Sequence, residues 1–285
     1  MNLPDDANDL RGMHFKQLLG KSWVLLLIGV LAIVAGAVGA AAVGPAIGGI
    51  ALVAVIGIGI GIVFWVADKR AADDFFEVYA QQRGLTLVHD RGQLPPRTPL
   101  LRKGDDRYTE RTMLGPIGDG FDGTLALYTY EEEHTDSDGH RQTDYYRYTV
   151  GLVEVPECSR FVPELYCQRK FGFRALEGLE DVFRTSKERV TLESEALLDR
   201  YEIFSGKQQD AVWLRRLFAP TFIVWLTDSA PEKFAFELVD GTLCCYVKGH
   251  KETAWELDAV ASASAAVAAR LREESGQTSL GSAGT

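Results

Sequence analysis

Charge is missing from one long stretch of this sequence: between Ser22 and Ala67 there is no Asp, Glu, Lys, Arg or His. Few side chains there can form hydrogen bonds, so the segment reads as one that sits in lipid rather than water. The missing intramembrane charge also argues against a pore or carrier, because ion and proton pathways are usually marked by ionisable residues inside the bilayer. Cysteine is scarce: Cys158, Cys167, Cys244 and Cys245 are the only four, and no C-x-x-C occurs. In a reducing cytoplasm they are expected to be free thiols. The vicinal pair Cys244-Cys245 would point to opposite faces of a strand, which favours buried, inert thiols over redox or metal chemistry.

Catalytic signatures are absent as well. There is no G-x-S-x-G and no H-E-x-x-H, which removes two recognisable hydrolase patterns. The repeat Gly57-Ile58-Gly59-Ile60-Gly61-Ile62 resembles the start of a dinucleotide loop, but the third small residue that lets a helix pack closely is replaced by Ile62. "GKS" at 20–22 ends like a phosphate loop, yet Phe15 stands where its first glycine belongs. Net positive charge is lacking too. The formal charge is −10, and residues 1–21 balance Asp5, Asp6 and Asp9 against Arg11, Lys16 and Lys21, so the acidity belongs to residues 68–285. Such a body is repelled by nucleic acid and by anionic lipid alike, and no nucleic-acid partner is expected.

The uncharged run is about twice as long as one bilayer crossing needs, at ~1.5 Å rise per residue and ~30 Å of hydrocarbon. Its strong breakers are Gly44-Pro45 and Gly48-Gly49, which predict two transmembrane helices at 22–43 and 46–67 folded as a hairpin. Small residues would let the two backbones approach: Ala32, Gly36 and Ala40 on the first helix, Gly57 and Gly61 on the second. Trp23 and Trp65 fall near the predicted ends, as interfacial aromatics do. Lys16 and Lys21 precede the first span, Lys69 and Arg70 follow the second, and the turn carries no charge. This places both termini in the cytoplasm of a two-span protein of the cell membrane. The competing reading is a signal peptide cleaved near Ala40-Ala41-Ala42; against it, the apolar stretch exceeds the ~7–15 residues of a signal h-region.

Residues 68–273 carry the pattern of a cytosolic α+β domain, with 1–21 as a cytoplasmic segment and 274–285, "ESGQTSLGSAGT", composed like a disordered tail. Helical pattern continues from the second span through "DKRAADDFFEVYAQQRG" with Gly84 as its stop. "LTLV" at 85–88 reads as a strand, and Pro95, Pro96 and Pro99 then mark an irregular loop. "GTLALYTYEEE" and "TDYYRYTVGLVEV" flank Asp138-Gly139 and predict a β-hairpin; "KFAFELVDGTLCCYVKG" predicts another around Asp240-Gly241. "RYEIFSG" reads as a strand. In "QQDAVWLRRLFAPTFIVWLTDS", Ala211, Leu214, Leu217 and Phe218 form an apolar stripe, and Pro220 opens a second helix. An alanine-rich helix closes the domain. The class is therefore α+β: antiparallel hairpins and segregated helices behind a two-helix transmembrane hairpin.

The series "LRRLFAPTFIVWL" (214–226) and "FELVDGTLCCYV" (236–247), behind two predicted spans, resembles an uncharacterised family of bacterial membrane-anchored proteins with two N-terminal transmembrane helices and a cytosolic α+β domain. The resemblance implies location and architecture, and no activity, cofactor or catalytic residue.

"EEEHTDSDGHRQTD" (131–144) gathers acids with His134 and His140, types that bind divalent ions. A calcium loop, however, needs glycine at its sixth place, and counted from Asp136 the glycine, Gly139, is fourth. The stretch reads as a solvated hairpin tip. His14, His89 and His250 are scattered, and Asp73, Asp74, Asp105 and Asp106 read as a solvated face. No catalytic, cofactor or metal residue is assigned. Three functions fit: a membrane-anchored, non-enzymatic module that binds a protein or small ligand near the inner membrane face; a membrane-tethered enzyme, such as a hydrolase, with a site assembled from distant residues; or an accessory subunit of a larger membrane complex. In each the lipid bilayer is a partner.

Overall fold

A computed structural model describes residues 22–42, 44–118, 120–135, 138–170, 187–207 and 209–282. The chain divides into two compact units, Met1–Tyr79 with Glu252–Ala254, and Ala80–Lys251 with Trp255–Thr285.

The first unit is built on α1 (Ser22–Ala42) and α2 (Pro45–Gln82). Gly44, at φ +131, makes the break between them, and Pro45 opens α2 where a missing amide hydrogen costs nothing. The second predicted span thus starts one residue earlier, and its helix runs on without interruption past residue 67, as the pattern beyond it implies. Pro45–Val63 is 19 residues long with a mean hydropathy of 2.6 and is long and apolar enough to cross a membrane; Leu27–Ala42 is a shorter apolar helix. Further along α2, Phe75, Phe76 and Tyr79 are buried at helical spacing.

The second unit is organised by an antiparallel sheet. Its strands are β1 (Thr86–Val88), β2 (Asp106–Gly118), β3 (Phe121–Thr135), β4 (Arg141–Glu154), β5 (Glu164–Arg169), β6 (Lys187–Arg189), β7 (Tyr201–Gly206), β8 (Ala235–Val239) and β9 (Thr242–Lys248). Among the described residues they form one nine-stranded sheet in the order β1-β2-β3-β4-β9-β8-β5-β7-β6. Both predicted hairpins are present. Asp240 and Gly241 have φ of 48° and 82°, the left-handed pair that a two-residue turn needs to match strand twist. The helices are α3 (Pro99–Arg102), α4 (Glu195–Arg200), α5 (Ala211–Leu217), α6 (Pro220–Val224) and α7 (Ala254–Ser282). Asp210 caps α5 by accepting from the amides of Val212 and Trp213 at 2.9 and 3.1 Å, and Pro220 opens α6. In α5 Trp213 is buried with Leu214 and Leu217, whereas Ala211, predicted to belong to the apolar stripe, is exposed.

Both sheet faces are covered. Leu125, Gly151, Cys245, Phe236, Cys167 and Ile203 succeed one another across β3, β4, β9, β8, β5 and β7. Helix α7 lies over this row: a Cβ at Gly151 would collide with Ser264, so glycine there sets how closely helix and sheet approach. On the opposite face Ala126, Tyr128, Tyr130, Tyr148, Val150, Cys244 and Tyr246 form a cluster with Leu100 and Leu101 of α3. Helix α7 corrects the expectation of a disordered tail from residue 274, since it continues to Ser282. Glu274 and Ser275 are buried, Arg270 pairs with Glu274 at 2.7 Å, and the Ser275 hydroxyl donates to the Leu271 carbonyl. Tertiary packing of this turn outweighs its polar composition.

Candidate functional site

The small residues predicted to join the two apolar helices are only partly used. Ala32 and Gly36 are buried, but Ala40 is exposed, and a Cβ at Gly57 or Gly61 would meet nothing within 4 Å. The close approach falls at Gly59, where a Cβ would lie 3.0 Å from Ile28. Gly57, Gly59 and Gly61 alternate, and only the middle one shares a helical face with the buried Val63, four residues on. Sequence spacing offers Gly57-x-x-x-Gly61 as readily as Gly59-x-x-x-Val63, so the phase of the face needed the structure. Arg70 is exposed on α2. Lys69 lies within α2, and Lys16, Lys21 and His14 fall outside the described residues.

The dispersed acids and histidines do not converge. His134, at the hairpin tip, lies 3.7 Å from Asp144 and 4.0 Å from Glu132. His250 is nearly buried, with Nε2 3.2 Å from both the Thr129 hydroxyl and the Tyr128 carbonyl and Nδ1 3.9 Å from Glu110, a set of contacts that accounts for it structurally. Among the described residues no group of three His, Cys, Asp or Glu is placed to hold a metal ion. All four cysteines are buried and unpaired. Cys244 sits in the tyrosine layer while Cys245 lies on the face toward Ser264, as strand alternation requires. Burial drives each thiol upward, Cys158 to about 12, so the nucleophilic thiolate is negligible at neutral pH.

A cleft is the feature best shaped for a ligand. The connection Thr191–Ser194, between β6 and α4, faces Arg215 and Phe218 of the α5 end and Pro220, Ile223 and Val224 of α6 across about 480 Å³. A smaller space of about 150 Å³ shares Thr191 and Arg215 and is lined by Ser205, Gly206, Gln209 and Leu214. The larger volume falls within the ~300–1,000 Å³ usual for small-molecule and short-peptide sites. Local chemistry explains why the walls stand where they do. Ser194 caps α4 through Leu197 N at 3.3 Å, and Pro220 starts a new helix three residues after Leu217, the last of α5, with only Phe218 and Ala219 between them. The cleft therefore offers an apolar wall, hydroxyls at its rim and the Arg215 guanidinium at the seam between the two spaces. No histidine or cysteine lines it, and the Ser194 hydroxyl is committed to its cap. Glu193 adds a carboxylate to this rim, and the arrangement can hold a molecule.

The second notable group is a buried carboxyl. Glu237 of β8 is 0 % exposed and sits on the tyrosine face, next to Cys244 and Tyr166 in register. It accepts the Leu100 amide at 3.0 Å and the Tyr246 hydroxyl at 3.5 Å. Burial pushes it up to about 7, and the Leu100 amide, the Thr98 hydroxyl, Tyr246 and the Arg102 charge only partly oppose this. In "KFAFELVDG" alternation alone assigns Glu237 to the face opposite Phe236, but that this face is buried was not readable from the strand. No cavity among those described reaches it, so the group holds structure rather than substrate.

Comparison with protein-family models, with curated proteins and with solved structures finds no match to this chain. Fold and site geometry are thus the grounds for function.

Proposed function

We propose that the protein is a membrane-anchored, non-enzymatic binding module whose ligand seat is the cleft between Thr191–Ser194 and α5–α6. The observation that carries this reading is the cleft itself: an open space of about 480 Å³, walled by Phe218, Pro220, Ile223 and Val224 and edged by Arg215 and Glu193. The apolar helix Pro45–Val63 supports attachment to a bilayer. We extend this to a two-span hairpin, with α1 as the first span and both termini cytoplasmic, on the flanking charges Lys16, Lys21, Lys69 and Arg70. The resemblance to two-span bacterial proteins supports the same layout, and its first series, 214–226, contains much of the cleft wall.

The test is native mass spectrometry of the full chain in detergent micelles, comparing wild type with Arg215→Ala and Val224→Asp. Both positions are exposed, so the variants keep the fold. The proposal expects a co-purifying small molecule or peptide on wild type that both variants lose, with unchanged thermal unfolding. Retention by both variants, or a wild-type protein that carries nothing from any preparation, overturns it.

A further inference from the structure

The segment Leu94–Lys103 is a strap without regular structure apart from the single turn of α3, and it closes the tyrosine face of the sheet. Its prolines exclude a strand or long helix, so its own backbone cannot satisfy itself and its side chains do the stitching. Arg102 donates to the carbonyls of Pro96 and Arg97, both at 2.8 Å. Arg97 reaches Glu154 at 3.0 Å and Thr242 at 3.1 Å, and Lys103 lies 3.6 Å from Glu132. These ties are at the rim. At the centre the strap meets the sheet through Leu100 and Leu101, and there the Leu100 amide donates to Glu237 of β8 at 3.0 Å, while Tyr128 donates to the Leu100 carbonyl at 3.3 Å.

A carboxylate is a costly group at that position, because ionising it under the closed strap removes a charge from water without a partner cation. The groups facing it come from every neighbouring strand: Tyr128 from β3, Tyr148 from β4, Tyr166 from β5, and Cys244 and Tyr246 from β9, all neutral and all held so by burial. The cation that opposes the burial of Glu237 among the described residues, Arg102, belongs to the strap and is exposed, its guanidinium committed to Pro96 and Arg97. The Thr98 hydroxyl, 0 % exposed and without a hydrogen-bond partner, is near enough to influence Glu237 and can receive the proton of a neutral carboxyl. A neutral Glu237 therefore suits the closed layer better than an ionised one.

We propose that Glu237 is a proton-operated latch: with its proton it keeps the Leu94–Lys103 strap down on the tyrosine layer, and without it the chain shifts toward a lifted strap with a hydrated carboxylate. In the lifted state Glu237 ionises near the ordinary glutamate value of ~4.3, while under the strap burial moves it up to about 7. The closed state thus binds the proton more tightly. Its extra stability is complete below the ordinary value, declines as pH rises through about 7, and then levels off, because both states are ionised. Lifting would uncover Tyr128, Tyr130, Tyr148 and Tyr246, an aromatic surface otherwise closed to partners.

Amide hydrogen exchange on the full chain in detergent, corrected for intrinsic rates, tests this. Between about pH 5 and about pH 8 protection at Leu100–Lys103 should fall by about tenfold or more, while the β3 amides that pair with β2 and β4 keep theirs. In Glu237→Gln, which preserves the shape and an acceptor for Leu100, the strap's protection should no longer vary with pH. A flat wild-type profile, or an unchanged slope in Glu237→Gln, overturns the latch. Should that variant not fold, the wild-type Glu237 carboxyl signal in carbon NMR decides: a midpoint near ~4.3 is against the latch, and one well above it is for it.

Discussion

Helix α2 and the helix-covered face of the sheet use the same kinds of residue and turn them opposite ways. In α2, Ile47, Ile50, Val53, Ile58 and Ile62 are between 45 and 68 % exposed, whereas Leu125, Phe236, Leu238 and Leu243 in the sheet are 0 % exposed. At ~25 cal/mol per Å² of apolar surface, an outward belt of isoleucines would be strongly unfavourable in water, and it is neutral only where the surroundings are as apolar as the side chains. The contrast shows that the apolarity of a segment does not say where its side chains point. Period does: in the sheet, successive positions turn alternately toward the tyrosine layer and toward α7, each with a partner that buries it, and α2 shows no single apolar stripe between residues 46 and 62 because nothing there distinguishes one side from another. Glycine divides the same way, since Gly151 is required by the close passage of α7, while Gly57 and Gly61 border open space.

Three substitutions separate the two regimes. The largest effect is expected from Phe236→Ala in the sheet core, which should lower the unfolding free energy of the domain by about 3–5 kcal/mol, measured by denaturant titration followed by tryptophan fluorescence, while sedimentation with membranes is unchanged. Next is Ile58→Lys, which should weaken insertion by about 2.5–3.5 kcal/mol; carbonate washing would then release more protein although the domain's unfolding midpoint stays put. If Ile58→Lys instead unfolds the domain and leaves membrane association intact, the outward belt is not facing lipid. The smallest concerns the contact between the two helices. Gly59→Leu must displace Ile28 and should cost about 1–3 kcal/mol, seen as a longer spin-label distance between α1 and α2, whereas Gly57→Leu should leave that distance alone. Equal responses would mean that the helices meet on a different face.

The local elements were legible because each is set by neighbours in the chain. Asp240-Gly241 and Asp138-Gly139 marked their hairpins, Pro220 marked the start of α6, and Gly44-Pro45 marked the break before α2. What escaped was pairing between distant segments. Nothing in β5 says that it lies between β8 and β7, with Cys167 opposite both Phe236 and Ile203. The cleft escaped for the same reason, as its rim at Thr191–Ser194 and its wall at Phe218–Val224 meet only through the sheet and helices between them. That α7 runs on to Ser282 was not readable from residue 274 onward, because the serines and glycines there describe the solvated chain, and the Arg270–Glu274 pair that holds the first turn depends on α7 already being docked; residues 283–285 lie outside the described residues.

By itself the sequence determined that one region lacks charge over a bilayer-spanning length, that the rest is an acidic α+β domain with two hairpins, and that its cysteines behave as small buried apolar groups. These follow from composition and from periods of a few residues, which short-range sterics and solvation dictate. Tertiary structure alone decided that Glu237 is shut beneath a proline strap, that Gly59 rather than its neighbours touches Ile28, and that an open cleft remains beside α5 and α6, because each depends on surfaces that become neighbours only after the whole chain has packed.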